Sequence, residues 1–418
     1  MNVLHLLLNL YHLSKRRGSG TRLTRLTNAQ GGPLLLLSAA SNVLTFVLTL
    51  LAARLLTPTN YGTFMALFGL WSTVAMPTGA VRLVLARWLA VESTGTGFRR
   101  QLLRLNWGGG LAGALLIAGA AWWGAGRLEL SPLVTVAVAL QAWGLGLWAA
   151  WRRGQAQARG LFTRFGWAGV LELVARLVVL VVLLTLSGLP TSWVLFAAMG
   201  AGGLGIALAL PSRLLGGDHA PVPVRQLTSS LGASFGVMLA VGVLTNLDLL
   251  WARYALDLTQ AGTFAAGTLA SRPFILFGAV AGTLVIPKVA RGLSKTHLRR
   301  WTAYLLVGSL GLAGVAHLLA EPLVTLAFGA EYRVAVAAAR LAAWGGALYA
   351  PAILLANAAL GAGDPKVAVG FTLFTLVLAG VTFGFADSAT AYWTTCGVLS
   401  LAYTSMATFR MGNLHATQ

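Results

Sequence analysis

Acidic residues are scarce in this chain: ten Asp and Glu stand against thirty Lys and Arg in 418 residues, and charged residues make up only 10%. A soluble globular chain carries about 25% charged residues, so an ordinary water-exposed domain is excluded. Cysteine is nearly absent. Cys396 alone rules out an intramolecular disulfide and any multi-cysteine metal site. No phosphate-binding loop and no zinc motif occurs, which excludes a nucleotide-driven engine and leaves a gradient or downhill flow; no cofactor and no metal are expected. Long polar stretches are missing too, the most polar internal one being Pro211 to Ser229. What is present is 57% hydrophobic residues at a mean hydropathy of +0.77, the composition of a bilayer protein. The formal charge of +20 then reports topology, and no nucleic acid is expected as a partner.

Apolar windows of about 20 residues, the length that crosses hydrocarbon as a helix, start near Pro33, Tyr61, Leu105, Ser131, Gly166 and Thr191. A second series starts near Ser230, Ala261, Thr302, Ala335, Val367 and Ala389. The expectation is an all-α polytopic membrane protein of 12 transmembrane helices in two six-helix lobes, at 33–211 and 230–418. Residues 1–32 form a basic cytoplasmic tail and 212–229 a cytoplasmic linker. Leu4 to Leu13 is too short to span and its cations follow it, which fits an interfacial helix, or a misassigned start, better than a signal sequence.

Basic residues gather in alternate loops, around Lys15, from Arg82 to Arg104, from Arg152 and Arg153 to Arg164, and around Lys295, while the opposite loops hold few, among them Arg54, Arg127 and Arg253. The positive-inside rule places both termini in the cytoplasm, and a bacterial cytoplasmic (inner) membrane is expected. The outer loops are short. The longest, Glu321 to Val334, is read as a mere connection, too small for the active site of a membrane glycan polymerase or ligase.

The chain repeats itself roughly 200 residues apart: Ala53-Arg54 returns as Ala252-Arg253, Gly62-Thr63-Phe64 as Gly262-Thr263-Phe264, and Gly79-Ala80-Val81 as Gly278-Ala279-Val280. Duplicated helical bundles point to a transporter with its substrate at the repeat interface. Two soluble-enzyme patterns lack their context. Gly200 to Gly205 fits a dinucleotide fingerprint inside a span, and Gly232-Ala233-Ser234-Phe235-Gly236 fits a nucleophile elbow without its strand. With Gly109–Gly113 and Gly278–Gly282, these are read as faces of close helix packing.

Ionisable residues inside a span cost at least about 2.5–3.5 kcal/mol, so each should face a cavity or a partner. Glu172 and Arg176 share one face of the fifth span, as a self-neutralising pair or as substrate contacts. Arg272 stands near mid-membrane before Pro273 with no carboxylate a turn away, which suits capture of a phosphate or diphosphate. The alternative is pairing with Asp248, whose place near the outer end of the seventh span puts it about 10 Å or more off in depth. Asn246 and Asp248 suit a cation, sugar hydroxyls or the headgroup layer, and His317, read fifteen residues into the ninth span, a proton carrier or hydrogen-bonded packing. Pro77 and Pro351 mark kinks.

Ala53-Arg54-Leu55-Leu56-Thr57-Pro58-Thr59-Asn60-Tyr61-Gly62-Thr63-Phe64 resembles the first hairpin of polysaccharide-type flippases of the multidrug/oligosaccharidyl-lipid/polysaccharide exporter superfamily. Asn246 to Tyr254 followed by Gly262-Thr263-Phe264 is similar to their seventh-to-eighth hairpin, and Phe328 to Tyr332 and Leu360 to Lys366 to later landmarks. The resemblance covers residues 33 to 410. It implies a V-shaped pair of lobes that moves a polyprenyl-diphosphate-linked oligosaccharide to the outer leaflet, with Arg272 as a cavity arginine. Implied partners are the lipid-diphosphate-linked glycan, membrane lipids, a glycan polymerase and glycosyltransferases. The first two spans lack the cavity arginines of peptidoglycan-precursor flippases, a departure from that subgroup. A cation-coupled multidrug exporter is the alternative.

Overall fold

The computed structural model describes residues 22–91, 97–210, 224–290, 294–362, 365–386 and 388–413. The interfacial helix expected before residue 14, the tail cations Lys15, Arg16 and Arg17, and linker residues 212–223 lie outside the described residues. The first half runs α1 (Arg22–Leu55), α2 (Pro58–Ala75), α3 (Gly79–Val91), α4 (Gly97–Arg127), α5 (Pro132–Ala158), α6 (Phe162–Leu186) and α7 (Thr191–Ala209). The second runs α8 (Val224–Ala255), α9 (Leu258–Thr268), α10 (Arg272–Ala290), α11 (Lys295–Leu318), α12 (Ala320–Phe328), α13 (Ala335–Ala362), α14 (Pro365–Phe385) and α15 (Ala389–Asn413).

Ten described helical stretches are long and apolar enough to cross a bilayer; Val369–Phe385 of α14 is a shorter apolar helix, and α15 follows it. The fold is an all-α, multi-pass membrane bundle of two six-helix lobes. Leu186, Leu208 and Phe385, each more than three-quarters exposed, show the apolar outer faces that lipid would cover. Several helices begin earlier than the hydropathy windows: α6 four residues before Gly166, α8 six before Ser230 and α11 seven before Thr302. Hydropathy marks where a helix enters hydrocarbon, whereas hydrogen bonding starts in the polar interface. Two spans are broken. The 3-10 turn Met76–Thr78 separates α2 from α3 at Pro77, and Leu269–Ser271 separates α9 from α10 just before Arg272-Pro273.

The repeat acquires its meaning at the bundle end that carries the α1–α2 and α8–α9 turns, hereafter the hairpin end. Thr57 caps α2 by accepting from the Asn60 amide, and Asp257 caps α9 by accepting from that of Gln260 at 2.8 Å. The two capped helices then cross at their repeated glycines. A Cβ on Gly62 would stand 2.8 Å from the Gly262 nitrogen, and one on Gly262 would fall on the Pro58 carbonyl. Only glycine permits that approach. Beside the crossing, the Thr59 and Thr259 hydroxyls meet at 3.1 Å.

The duplicated Ala-Arg pairs fasten each lobe to the other. Arg54 donates from Nε to the Ala327 carbonyl at 2.7 Å and from Nη2 to that of Leu326, capping the last turn of α12. Arg253 reaches the opposite way, to the Glu129 carbonyl at 3.2 Å and its carboxylate at 3.3 Å. Tyr332, packed edge-to-face on Tyr61 at 6.0 Å, donates to the Ala53 and Leu56 carbonyls. Burial, and then the neighbouring Glu331, push the Tyr332 phenol above its ordinary pKa, so it keeps the proton it donates. The stretch expected to be a mere connection is therefore corrected: α12 buries Val324 and Phe328 and supplies half of this closure. Its sequence hid this because its apolar face, only two turns long, falls below the length of a span signal.

Below the crossing, α8 lies along the second span for its whole length. Gly69 packs on Leu249, Thr73 donates to the Gly242 carbonyl at 3.4 Å, Gly79 faces Met238, and Leu85 meets Leu227. The close-packing expectation holds for Gly113 against Trp143, and for Gly278 and Gly282 against Ala350 and Asn357. Gly109 and Gly232 instead face open space, so the four-residue spacing alone does not mark a contact.

Candidate functional site: a cationic cavity in the first lobe

A cavity of about 250 Å³ opens among α2, α3, α5, α6 and α7, with Met238 of α8 as its wall from the second lobe. Its charged lining is Arg82, Arg153, Arg176 and Glu172, three arginines against one carboxylate. Glu172 bridges two of them: Oε1 accepts from Nη2 of Arg176 one turn on, and Oε2 from Nη2 of Arg153 on α5. Arg176 also stacks on Trp71, its guanidinium carbon 4.3 Å from the ring centroid. Among the described residues, Arg82 pairs with no carboxylate. It lies 5.8 Å from the Phe165 ring centroid, and its Nε is buried without an acceptor, as are Arg176 Nε and Trp71 Nε1. Buried donors are normally satisfied, and these three gather around one cavity.

Local sequence explains how these groups converge. Pro77 breaks the second span and turns α3 so that Arg82 faces the cavity, while Thr78 fits against Gly146, where a Cβ would stand 2.8 Å from its hydroxyl. The glycines that mimic a dinucleotide fingerprint bring α7 onto the cluster. A Cβ on Gly202 would sit 2.5 Å from Arg176 Nε, and one on Gly205 would fall on the Leu171 carbonyl. Gly205→Ala should therefore lower stability by about 1–3 kcal/mol and part α6 from α7; thermal unfolding of the purified protein measures it.

Of the residues singled out from the sequence, Glu172 and Arg176 line the cavity, and Asn246 adjoins it by donating to Ser72 Oγ at 3.2 Å and to the Gly242 carbonyl at 2.8 Å. Arg272 does not line it. The expectation of an unpaired Arg272 is corrected: its Nη2 donates to Asp248 Oδ1 at 3.0 Å and Oδ2 at 2.9 Å, and Nη1 to the Thr245 carbonyl. Counting rise per residue missed this because side chains tilt toward their helix N-terminus. The two helices run in opposite senses, so Arg272 leans toward the hairpin end and Asp248 away from it, and the depth difference closes. Asp248 is consequently buried in the lobe rather than set among headgroups. His317 stands in the last turn of α11, where Trp344 Nε1 donates to its Nδ1 at 3.3 Å, and it does not line the cavity.

Arg82 and Arg153 were assigned to loops by sequence, and the second span was expected to bring no arginine to the cavity; Arg82 corrects that. The available signal was their position: both lie within five residues of the end of an apolar stretch.

No protein-family model matches the sequence, and no curated protein matches it. Solved structures share its fold. An inward-facing multidrug resistance MATE family transporter of the MOP superfamily superimposes with a TM-score of 0.65 at 12% identity, over 90% of this chain and 94% of that one. The lipid II flippase MurJ in an inward closed conformation gives 0.60 at 13% identity, over 90% of each chain. A Vibrio cholerae MATE transporter, VcmN, gives 0.57 at 16%, over 93% and 96%.

Proposed function

We propose that this protein is a flippase that carries a polyprenyl-diphosphate-linked oligosaccharide from the cytoplasmic to the outer leaflet by alternating access. The observation that carries this reading is the cavity in which Arg82, Arg153 and Arg176 outnumber Glu172 and three donors lack acceptors. Guanidinium forks match diphosphate oxygens, and a surplus of positive charge offsets the cost of bringing an anion below the headgroups. Fold likeness extends to both drug exporters and a lipid flippase, and the positive surplus of the cavity favours an anion over an organic cation.

On the charge-derived orientation the hairpin end faces outward, so the latched Arg54, Arg253 and Tyr332 close the outer side while the cavity takes its ligand from the cytoplasmic half. A dianion then moves outward through an interior-negative membrane, gaining roughly 4.6 kcal/mol at about 100 mV. Arg272, held by Asp248, contributes in the state in which that pair has opened. Asp248 and Glu172 are the carboxylates through which a proton or cation would couple; His317, bonded to Trp344, lies away from this cavity. Glycosyltransferases would supply the cargo and a polymerase would consume it, in a bacterial inner membrane with both termini cytoplasmic.

Proteoliposomes loaded with a fluorescent polyprenyl-diphosphate oligosaccharide test the reading. Translocation, followed by an impermeant quencher, should depend on the protein and fall at least tenfold in Arg82→Ala, whose side chain makes no ion pair among the described residues and lies against the Phe165 ring. Protein-dependent efflux of a cationic dye with no glycan movement would instead establish the multidrug exporter.

A further inference from the structure

We propose that Glu172 is a built-in stand-in for the substrate's phosphate, occupying Arg153 and Arg176 until a phosphate group displaces it from Arg153. The inference rests on the reading of the cavity as an anion seat and assigns Glu172 a role opposite to that of a substrate contact: it competes with the ligand.

Each Glu172 oxygen takes one guanidinium, Oε2 from α5 and Oε1 from its own helix, as two oxygens of one phosphate would. The two arginines are not equally free. Arg176 is stacked on Trp71, hemmed in where α7 lacks a side chain at Gly202, and its side chain is 8% exposed. Arg153 comes from a separate helix, has no contact of that kind among the described residues, and is 23% exposed. Arg153 is therefore the group that can turn from the carboxylate to an arriving phosphate, while Arg176 keeps Glu172 in place. Arg82, which among the described residues has no carboxylate and no acceptor at its buried Nε, lines the same cavity.

The arrangement solves a problem common to carriers: a seat of three bare arginines would hold a diphosphate too tightly to release it, and conduction needs binding that is easily reversed. A resident carboxylate at contact distance lowers the affinity without removing the recognition geometry. It also offsets one of the two positive charges that Arg153 and Arg176 bring together.

Binding of radiolabelled inorganic diphosphate to the full-length protein in nanodiscs tests this apart from any glycan. Glu172→Gln should bind at least tenfold tighter than the parent, and Arg153→Ala at least tenfold weaker. Equal or weaker binding by a folded Glu172→Gln protein, or no diphosphate binding by either parent or variant, overturns the proposal. If the Gln variant does not assemble, Glu172→Asp serves, because it keeps the charge beside Arg176 and shortens the reach to Arg153; at least threefold tighter binding is expected, and unchanged affinity overturns the idea. Should these affinities shift as stated while liposomes move no lipid-linked glycan, the Glu172 assignment stands and the choice of cargo falls.

Discussion

Replacing Arg272 by alanine should destabilise the protein by about 3 kcal/mol, because Asp248, 3% exposed, is left buried without its counter-charge. Asp248→Ala should cost a comparable amount, since Arg272 would keep only its bond to the Thr245 carbonyl. The double variant Asp248→Leu/Arg272→Met, which exchanges the pair for apolar groups of similar size, should recover most of the loss. A double-mutant cycle on thermal unfolding in detergent measures the coupling. Transport separates structure from function here. If Arg272 also meets the diphosphate once Asp248 releases it, the double variant regains stability but translocates at least tenfold more slowly. Wild-type translocation by a stable double variant would confine the pair to holding α8 against α10.

The second large effect is expected at the glycine crossing. Cysteines at Thr59 and Thr259, whose hydroxyls lie 3.1 Å apart, should form a disulfide under mild oxidation. The native Cys396 is buried and should not interfere. The cross-link ties α2 to α9 across the lobes, so a protein that must part them in each cycle should lose essentially all transport and recover it with reductant. Full activity of the oxidised form would mean that the hairpin end stays shut throughout, against alternating access. Arg54 and Arg253 reinforce the same closure, but the exposed Glu129 carboxylate is screened by solvent, and loosening that arm alone should have a small effect.

Much of this molecule was legible without coordinates. Hydropathy alone fixes twelve apolar stretches and hence the fold class, because hydrocarbon admits only helices or closed barrels. The order of Ala-Arg and Gly-Thr-Phe in each half announced the duplication, since a repeat at a fixed separation needs no contact to be seen. Spacing within one helix was equally readable: Glu172 and Arg176 are neighbours by the helical period, and the structure brings them together.

What crosses between helices was not. Whether Arg272 was free or bound depended on which side chain of α8 leaned toward it, and that follows from helix direction and tilt rather than from residue count. Arg82 and Arg153 looked like loop cations because a positive charge near the end of an apolar stretch normally faces water. Only the packing of α3, α5 and α6 turned them inward to the cavity, where Arg153 meets Glu172. The sequence determined that charges inside the bilayer must find partners; the tertiary structure decided which partners, because that choice depends on distances between helices that no one-dimensional period encodes.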